Sequence, residues 1–197
     1  QAKDLRILKK INLVDNIKDI VSTDIFIIAV PTPILKDNTP DLKYLEDATK
    51  IVSKVLKPNN IVVYESTVYP GCTEEVCVPI LERYSGLKYN KNFFCGYSPE
   101  RINPGDKKRG ITKVVKVTSG SDISTSKKID KLYKSIVGAG THMAPNIKTA
   151  EAAKVIENIQ RDINIAFVNE LAMLFGKLKI NTVDVLKAAE TKWNFHS

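Results

Sequence analysis

Asp24-Ile-Phe-Ile-Ile-Ala-Val-Pro31 is a continuous apolar run closed by a proline. A run this short, rich in β-branched residues and ended by a helix breaker, reads as a strand buried on both faces. Ile61-Val-Val-Tyr-Glu-Ser66 repeats the pattern. Between the two, Leu45, Ala48, Val52 and Val55 recur at helical spacing, from a cap at Asp41 to Leu56, with Pro58 just beyond. Strand, helix and strand in this order imply a βαβ unit, with parallel pairing and a right-handed crossover.

Working outward, the alternation continues. Asp15 caps a short helix over 16–21, ahead of the first strand. Thr73, Glu74 and Glu75 open a helix whose acidic first turn complements the helix dipole, and Gly86 ends it. Strands follow at 92–96 and 113–118, then a helix over 124–137 and a short strand at His142–Met143. The fold class is therefore α/β, part of a Rossmann-like doubly wound parallel sheet. From Ile147 the period becomes helical for good. Ala152, Ile156, Ile159, Ile163, Phe167, Leu171, Leu174 and Leu178 trace one helix. At about thirty residues it measures about 45 Å, longer than one domain is thick, so it links two domains or builds a subunit interface. A second helix runs from Asn181 or Thr182 to Ala189, before Lys192-Trp-Asn-Phe195. The division expected is 1–146 for the sheet and 147–197 for the start of a helical domain. The pattern opens mid-theme at Gln1, and the chain reads as a fragment.

Composition narrows the function classes. Charged residues at 26% and hydrophobic ones at 43% suit a soluble globular protein, and no apolar run approaches a membrane span. Three cysteines in unpatterned spacing argue against a disulfide framework and for a reducing cytoplasm. The net charge of +8 suits an anionic ligand such as a nucleotide or diphosphate. Much of that charge is dispersed: Lys127, Lys131 and Lys134 fall on one helix face, and no basic run is interleaved with aromatics as nucleic-acid binding would require.

Candidate site residues cluster at strand ends, where open α/β sheets bind ligands. Val30-Pro-Thr-Pro33 closes the first strand with a stiff segment against which a dinucleotide can pack; a rigid strand exit reads the same way. Ser66 and Thr67 put two hydroxyls at the end of the second, and hydroxyls there also cap backbone. Thr73 heads a helix whose free N–H groups could receive an anion or a polarised oxygen. Gly96-Tyr-Ser-Pro-Glu-Arg-Ile-Asn-Pro-Gly-Asp106 holds Glu100, Arg101 and Asn103 between two prolines that bar both helix and ladder, with Asp106 just beyond the second. On that segment alone, a solvated turn and a ligand site are equal readings. On the long helix, Glu151, Lys154, Asn158 and Arg161 share one face. A Lys and an Asn one turn apart can donate together to a developing oxyanion, while a solvated face with helix ion pairs is the plainer reading. Cys72 precedes a helix N-terminus, which lowers a thiol's pKa, but no base is placed to serve it. Cys72 and Cys77, five apart, fit no redox or zinc pattern, so all three cysteines, with Cys95, read as structural. His142 and His196 are isolated, and no metal site is expected.

Together, Val30-Pro-Thr-Pro33, Glu65-Ser-Thr-Val-Tyr-Pro-Gly71, Ser98-Pro-Glu100, Ala150-Glu-Ala-Ala-Lys-Val-Ile-Glu-Asn158 and Asn169-Glu-Leu171 resemble the UDP-glucose/GDP-mannose dehydrogenase family, from end to end. Ser98-Pro-Glu-Arg-Ile-Asn-Pro-Gly-Asp106 and Lys192-Trp-Asn-Phe195 resemble its branch acting on UDP-N-acetylhexosamines, the Vi-antigen type UDP-N-acetylglucosamine 6-dehydrogenases and the UDP-N-acetylgalactosamine enzymes. The resemblance implies a cytoplasmic NAD-dependent enzyme of surface-polysaccharide synthesis, a homodimer through the helix at 147–178. It implies oxidation of the C6 alcohol to a carboxylate in two steps, through an aldehyde captured by a cysteine as a thioester.

By matching motif it implies Lys154 and Asn158 as oxyanion stabilisers, Glu100 in proton transfer or thioester hydrolysis, and Thr67 positioning water or the nicotinamide. Val30, Pro31, Thr32, Ser66 and Thr67 would line NAD. Glu100, Arg101, Asn103, Lys154 and Asn158 would face the substrate. The family's G-x-G-x-x-G turn and its Gly-Gly-x-Cys nucleophile segment have no counterpart here, so a central fragment is expected, without the UDP-binding C-terminal domain. A non-catalytic dimerisation or NAD-binding module is one alternative. Another is a β-hydroxyacid-type dehydrogenase, against which Ser98-Pro-Glu-Arg101 and Lys192-Trp-Asn-Phe195 argue.

Overall fold

In the computed structural model, described over residues 11–102 and 110–195, a five-stranded sheet runs in the order β1-β2-β3-β4-β5. The strands are β1 (Ile25–Ile28), β2 (Ile61–Tyr64), β3 (Phe94–Tyr97), β4 (Lys116–Gly120) and β5 (Thr141–Met143). Helix α1 (Lys43–Ser53) links β1 to β2, α2 (Val78–Ser85) links β2 to β3, and α3 (Ile123–Lys134) links β4 to β5. Each helix-linked pair is parallel, as a crossover demands. β3 and β4 pair antiparallel, with Gly96 opposite Gly120 and Tyr97 opposite Ser119. Among the described residues between them the only helical element is a single turn at Ile111–Lys113. The sheet is thus of the expected class, with one pairing reversed.

The chain divides into two compact units, 1–154 and 155–197. In the first, Phe26, Ile28, Val62, Tyr64, Cys95, Tyr97 and Val117 present one sheet face to Leu45 and Val52 of α1, Val78 and Leu81 of α2, and Ile147 and Ala150 at the start of α4 (Ile147–Leu178). Ile61 and Val63 pack on the opposite face against Ile129 and Tyr133 of α3. Helices on both faces make the unit doubly wound. β1 departs from the expectation of burial on both faces, since Ile27 is 48% exposed. β1 is the outer strand of the described sheet, and α3 packs on β3, β4 and β5 rather than reaching it.

Capping follows side-chain chemistry. Asn16, not Asp15, caps the first turn, which is 3-10 over Ile17–Ile20. Asp122 accepts from Thr125 N at the head of α3, and Asn181 accepts from Val183 N and Asp184 N at the head of α5 (Thr182–Ala189). Gly86 closes α2 in the left-handed region, φ 73°.

Gly96 is required for another reason: closeness. A Cβ there would lie 2.1 Å from Ile129 Cδ1 and 2.6 Å from the Ser119 carbonyl oxygen. Gly96→Ala is expected to cost about 2 kcal/mol by overpacking, read as a melting temperature about 4–8 °C lower. An unchanged melting temperature would mean that α3 moves off the sheet without cost.

The second unit holds the rest of α4 and α5. Ile156, Ile159, Ile163, Phe167, Leu174 and Leu178, six members of the stripe expected on the long helix, are each 45–62% exposed.

Candidate functional site

The C-terminal ends of β1 and β2 open into a cleft of about 470 Å³, lined by Ala29, Val30, Pro31, Thr32, Glu65, Ser66, Thr67 and Glu100. Two hydroxyls tie its walls together. Ser66 Oγ donates to the Val30 carbonyl at 2.6 Å, and Thr32 Oγ1 donates to the Thr67 carbonyl at 2.7 Å. Both protons therefore cap backbone, and the ties hold the two strand tips as one rigid lip. Thr67 is exposed at its rim. All five residues expected to line a cofactor border this one cleft.

Glu100 forms the opposite wall. The loop that carries it is anchored by Ser98, fully buried, whose N–H donates to the Tyr64 carbonyl at 2.9 Å and whose Oγ donates to the Val117 carbonyl at 2.7 Å. Glu100 Oε1 accepts the N–H groups of Arg101 and Ile102, each at 2.7 Å. One carboxylate oxygen is thus held by its own loop, and the other, Oε2, lies 4.0 Å from the buried Lys116 Nζ. Lys154 Nζ donates to the Glu100 carbonyl at 2.5 Å, which brings the long helix's ammonium to this wall from 54 residues away. The plain reading of Lys154 as part of a solvated face does not hold. Arg101 donates through Nη1 to the Val115 carbonyl at 2.7 Å, so its guanidinium braces the loop against the approach to β4. Asn158 lies one turn beyond Lys154 on α4, exposed and in the second unit. Asn103 and Asp106 lie outside the described residues.

Beneath the cleft stands a group that spacing did not single out. Lys116 of β4 is 3% exposed, with Nζ 3.3 Å from Glu65 Oε1, 4.0 Å from Glu100 Oε2 and 5.1 Å from the centre of the Tyr133 ring. The Tyr133 hydroxyl donates to Glu65 Oε1, and burial pushes that phenol's pKa up. The signal was present in Val114-Val-Lys-Val-Thr118, a lone lysine in a run that otherwise reads as fully buried strand.

The helix N-terminus at Thr73, expected to receive an anion, already holds one. Glu151 Oε2 accepts from Gly71 N at 2.5 Å and Oε1 from Thr73 N at 2.9 Å, and the residue is fully buried. Glu151 thus leaves the polar stripe and becomes an internal cap for the segment that enters α2. Burial raises its pKa, against the lowering effect of these two N–H groups. That segment begins with a π-helical turn over Thr73–Cys77, whose longer repeat brings residues five apart together. The Cys77 thiol beside it holds Cys72 below the usual thiol range. The neighbouring Cys72 thiol, with burial, pushes Cys77 up. Burial pushes Cys95 up as well. All three are fully buried and none lines the cleft, in keeping with structural roles.

Comparison with known proteins fits this geometry. Residues 5–137 match the NAD binding domain, and residues 148–197 the central domain, of the UDP-glucose/GDP-mannose dehydrogenase family. The chain belongs to that family. The UDP-N-acetyl-D-glucosamine 6-dehydrogenase of Pseudomonas aeruginosa is 54% identical over 194 residues, which is 98% of this chain and 46% of that protein. Protein CapL of Staphylococcus aureus is 57% identical over 190 residues, 95% of this chain and 45% of its own. Among solved structures, the UDP-D-ManNAc dehydrogenase of Pyrococcus horikoshii superposes with a TM-score of 0.90 at 33% identity, covering 98% of this chain and 46% of that one. The chain thus spans about half the length of the curated relatives it matches. The β1 and β2 tips that form the cleft lie in the stretch matched to this family's NAD binding domain, and Lys154, in the stretch matched to its central domain, reaches the Glu100 carbonyl.

Proposed function

We propose that the chain is the central part of an NAD-dependent nucleotide-sugar 6-dehydrogenase. It oxidises the C6 alcohol of a UDP-N-acetylhexosamine to the uronate, for surface-polysaccharide synthesis. One contact carries this reading: Lys154 on the Glu100 carbonyl, which joins an ammonium to a carboxylate wall across from the β1–β2 lip. The names of the relatives support the substrate class. We place the domain boundary in sequence at 146/147, with the sheet as the nucleotide-binding portion and the helices beginning a second domain, although the compact unit of the sheet also takes in the first turns of α4, to 154. No described helix is long and apolar enough to cross a membrane, and the enzyme acts in the cytoplasm.

The cleft's chemistry fits the nicotinamide end of NAD. Val30 and Pro31 offer an apolar wall, and Thr32, Ser66 and Thr67 a polar rim, on a lip too stiff to collapse. Bound there, NAD⁺ supplies the hydride acceptor. In balance, the alcohol, one water and two NAD⁺ give the carboxylate, two NADH and three protons. Lys154 and Asn158 stabilise the oxygen at C6 as it gains negative charge, the work of the donors of an oxyanion site. Glu100 takes up or delivers the proton at that oxygen or at the hydrolytic water, and Thr67 orients the water or the nicotinamide. Arg101 and Asn103 belong to the substrate side. The thiol that captures the aldehyde is none of Cys72, Cys77 or Cys95, all of which are enclosed.

The test is isotopic. The intact protein, given UDP-N-acetylglucosamine or UDP-N-acetylgalactosamine deuterated at both C6 positions, is expected to move both deuterium atoms, as deuteride, to the nicotinamide pool and to yield a carboxylate. Deuterium retained at C6 with NADH formed would transfer the reaction to another carbon and overturn the reading.

The enzyme is a homodimer through the helix at 147–178. The apolar stripe on that helix supports this, with Ile159 at 45% and Ile163 at 60% exposure. Ile159→Asp with Ile163→Asp is expected to give a monomer by light scattering. An unchanged mass would place the interface elsewhere.

A further inference from the structure

Lys116 is a charge in the wrong place for a strand. β4 is buried along its whole length, and Lys116 stands on the face that α3 covers, as does Thr118, which donates to Asp130 of that helix. Burying an ammonium costs several kcal/mol of lost hydration, and a methionine would fill the same space without that cost. The Nζ does not recover it through well-aligned hydrogen bonds, for it makes none with any described residue. Instead it sits between two carboxylates, Glu65 at 3.3 Å and Glu100 at 4.0 Å, both of which line the cleft.

We propose that Lys116 is a positioning residue for Glu100: from beneath the cleft it fixes the direction of that carboxylate by drawing Oε2 down while the loop amides hold Oε1. The two carboxylates line the same cleft, and without a cation between them their repulsion would turn the more exposed one, Glu100, outward to solvent. Glu65 is the less free of the two. It is bonded by the Tyr133 hydroxyl, and its side chain is 17% exposed against 45% for Glu100. Tyr133, Glu65, Lys116 and Glu100 form one line from α3 to the cleft. Lys116 touches neither sugar nor cofactor and acts only through the wall.

This rests on the role given to Glu100 above, so its test has an arm that needs no activity. In Lys116→Met, amide hydrogen exchange of Arg101 and Ile102 is expected to quicken at least about tenfold, because Glu100 Oε1 leaves their N–H groups. The amide of Ser126, bonded to the Asp122 carbonyl in α3, reports whether the fold is intact and is expected to keep its protection. Lys116→Arg should restore slow exchange. In the intact enzyme, Lys116→Met is expected to lower kcat about 100-fold, as small misplacements of a reacting group do, with KM for the UDP-sugar little changed, and Lys116→Arg to recover most of it. If Met at 116 also frees Ser126, Lys116→Gln replaces it with the same expectations. Unchanged exchange at Arg101 and Ile102 in a folded neutral variant overturns the proposal, whatever the activity. Quickened exchange in an enzyme that does not oxidise the sugar upholds the positioning of Glu100 and overturns only the reaction assigned to it.

Discussion

Lys154→Ala in the intact protein is expected to lower kcat by about 100- to 1000-fold, the scale set by removing one preorganised donor from an oxyanion site. Lys154 is the first charged side chain after the buried Glu151 on α4, and its Nζ donates to the Glu100 carbonyl, 54 residues away in the chain. It is therefore held rather than waving in solvent, and its charge costs no reorganisation when an alkoxide develops beside it. Lys154→Arg keeps the charge but spreads it over a wider, planar head, and should recover only part of the rate. The kinetic constants separate two roles. If kcat and kcat/KM fall together, the ammonium acts in the transition state. If KM rises with kcat intact, Lys154 only binds substrate, and the oxyanion role is lost.

Glu151→Ala carries the largest expected effect on stability. Its carboxylate satisfies two backbone N–H groups, those of Gly71 and Thr73, 80 and 78 residues away in the chain. Removing it leaves both donors buried beside an enclosed void, at a cost of about 3 kcal/mol or more. For a chain of this size that lowers the melting temperature by about 6–12 °C. The pH dependence has a definite sign. Burial raises the folded carboxyl above its ordinary value, so the folded state binds the proton more tightly than the unfolded chain does. The group's contribution is then greatest below the unfolded pKa and declines as pH rises through the folded one. The stability gap between the unmodified protein and Glu151→Gln should accordingly narrow from acid toward neutral pH. A gap that widens with pH would mean that the two N–H bonds outweigh burial.

Much of this fold is legible because its signals are local. Apolar runs ended by Pro31 or Ser66 mark strand ends, and Gly86 and Asn181 mark helix ends. The long helix occupies Ile147–Leu178, the bounds its periodicity implies. What was hidden depends on contacts between distant residues. Spacing alone puts Glu151 and Lys154 on one helical face, yet Glu151 turns back to backbone donors on the loop ahead of α2 and Lys154 to the Glu100 carbonyl. The antiparallel β3–β4 pairing is a contact between strands, which the strand pattern does not reveal. In the candidate site, the β1–β2 lip and Glu100 were readable as strand-end chemistry. Lys116 was visible only as an anomaly, one charge inside an apolar strand, and its meaning appears once Glu65 and Glu100 are seen on either side of it.

A stoichiometry decides the proposed two-step oxidation. With the intact protein and a limiting amount of UDP-N-acetylglucosamine or UDP-N-acetylgalactosamine, NADH is followed by its absorbance to completion. Two NADH are expected for each sugar nucleotide consumed, with the uronate as product. One NADH per sugar, or no reduction of NAD⁺ with either substrate, would contradict it.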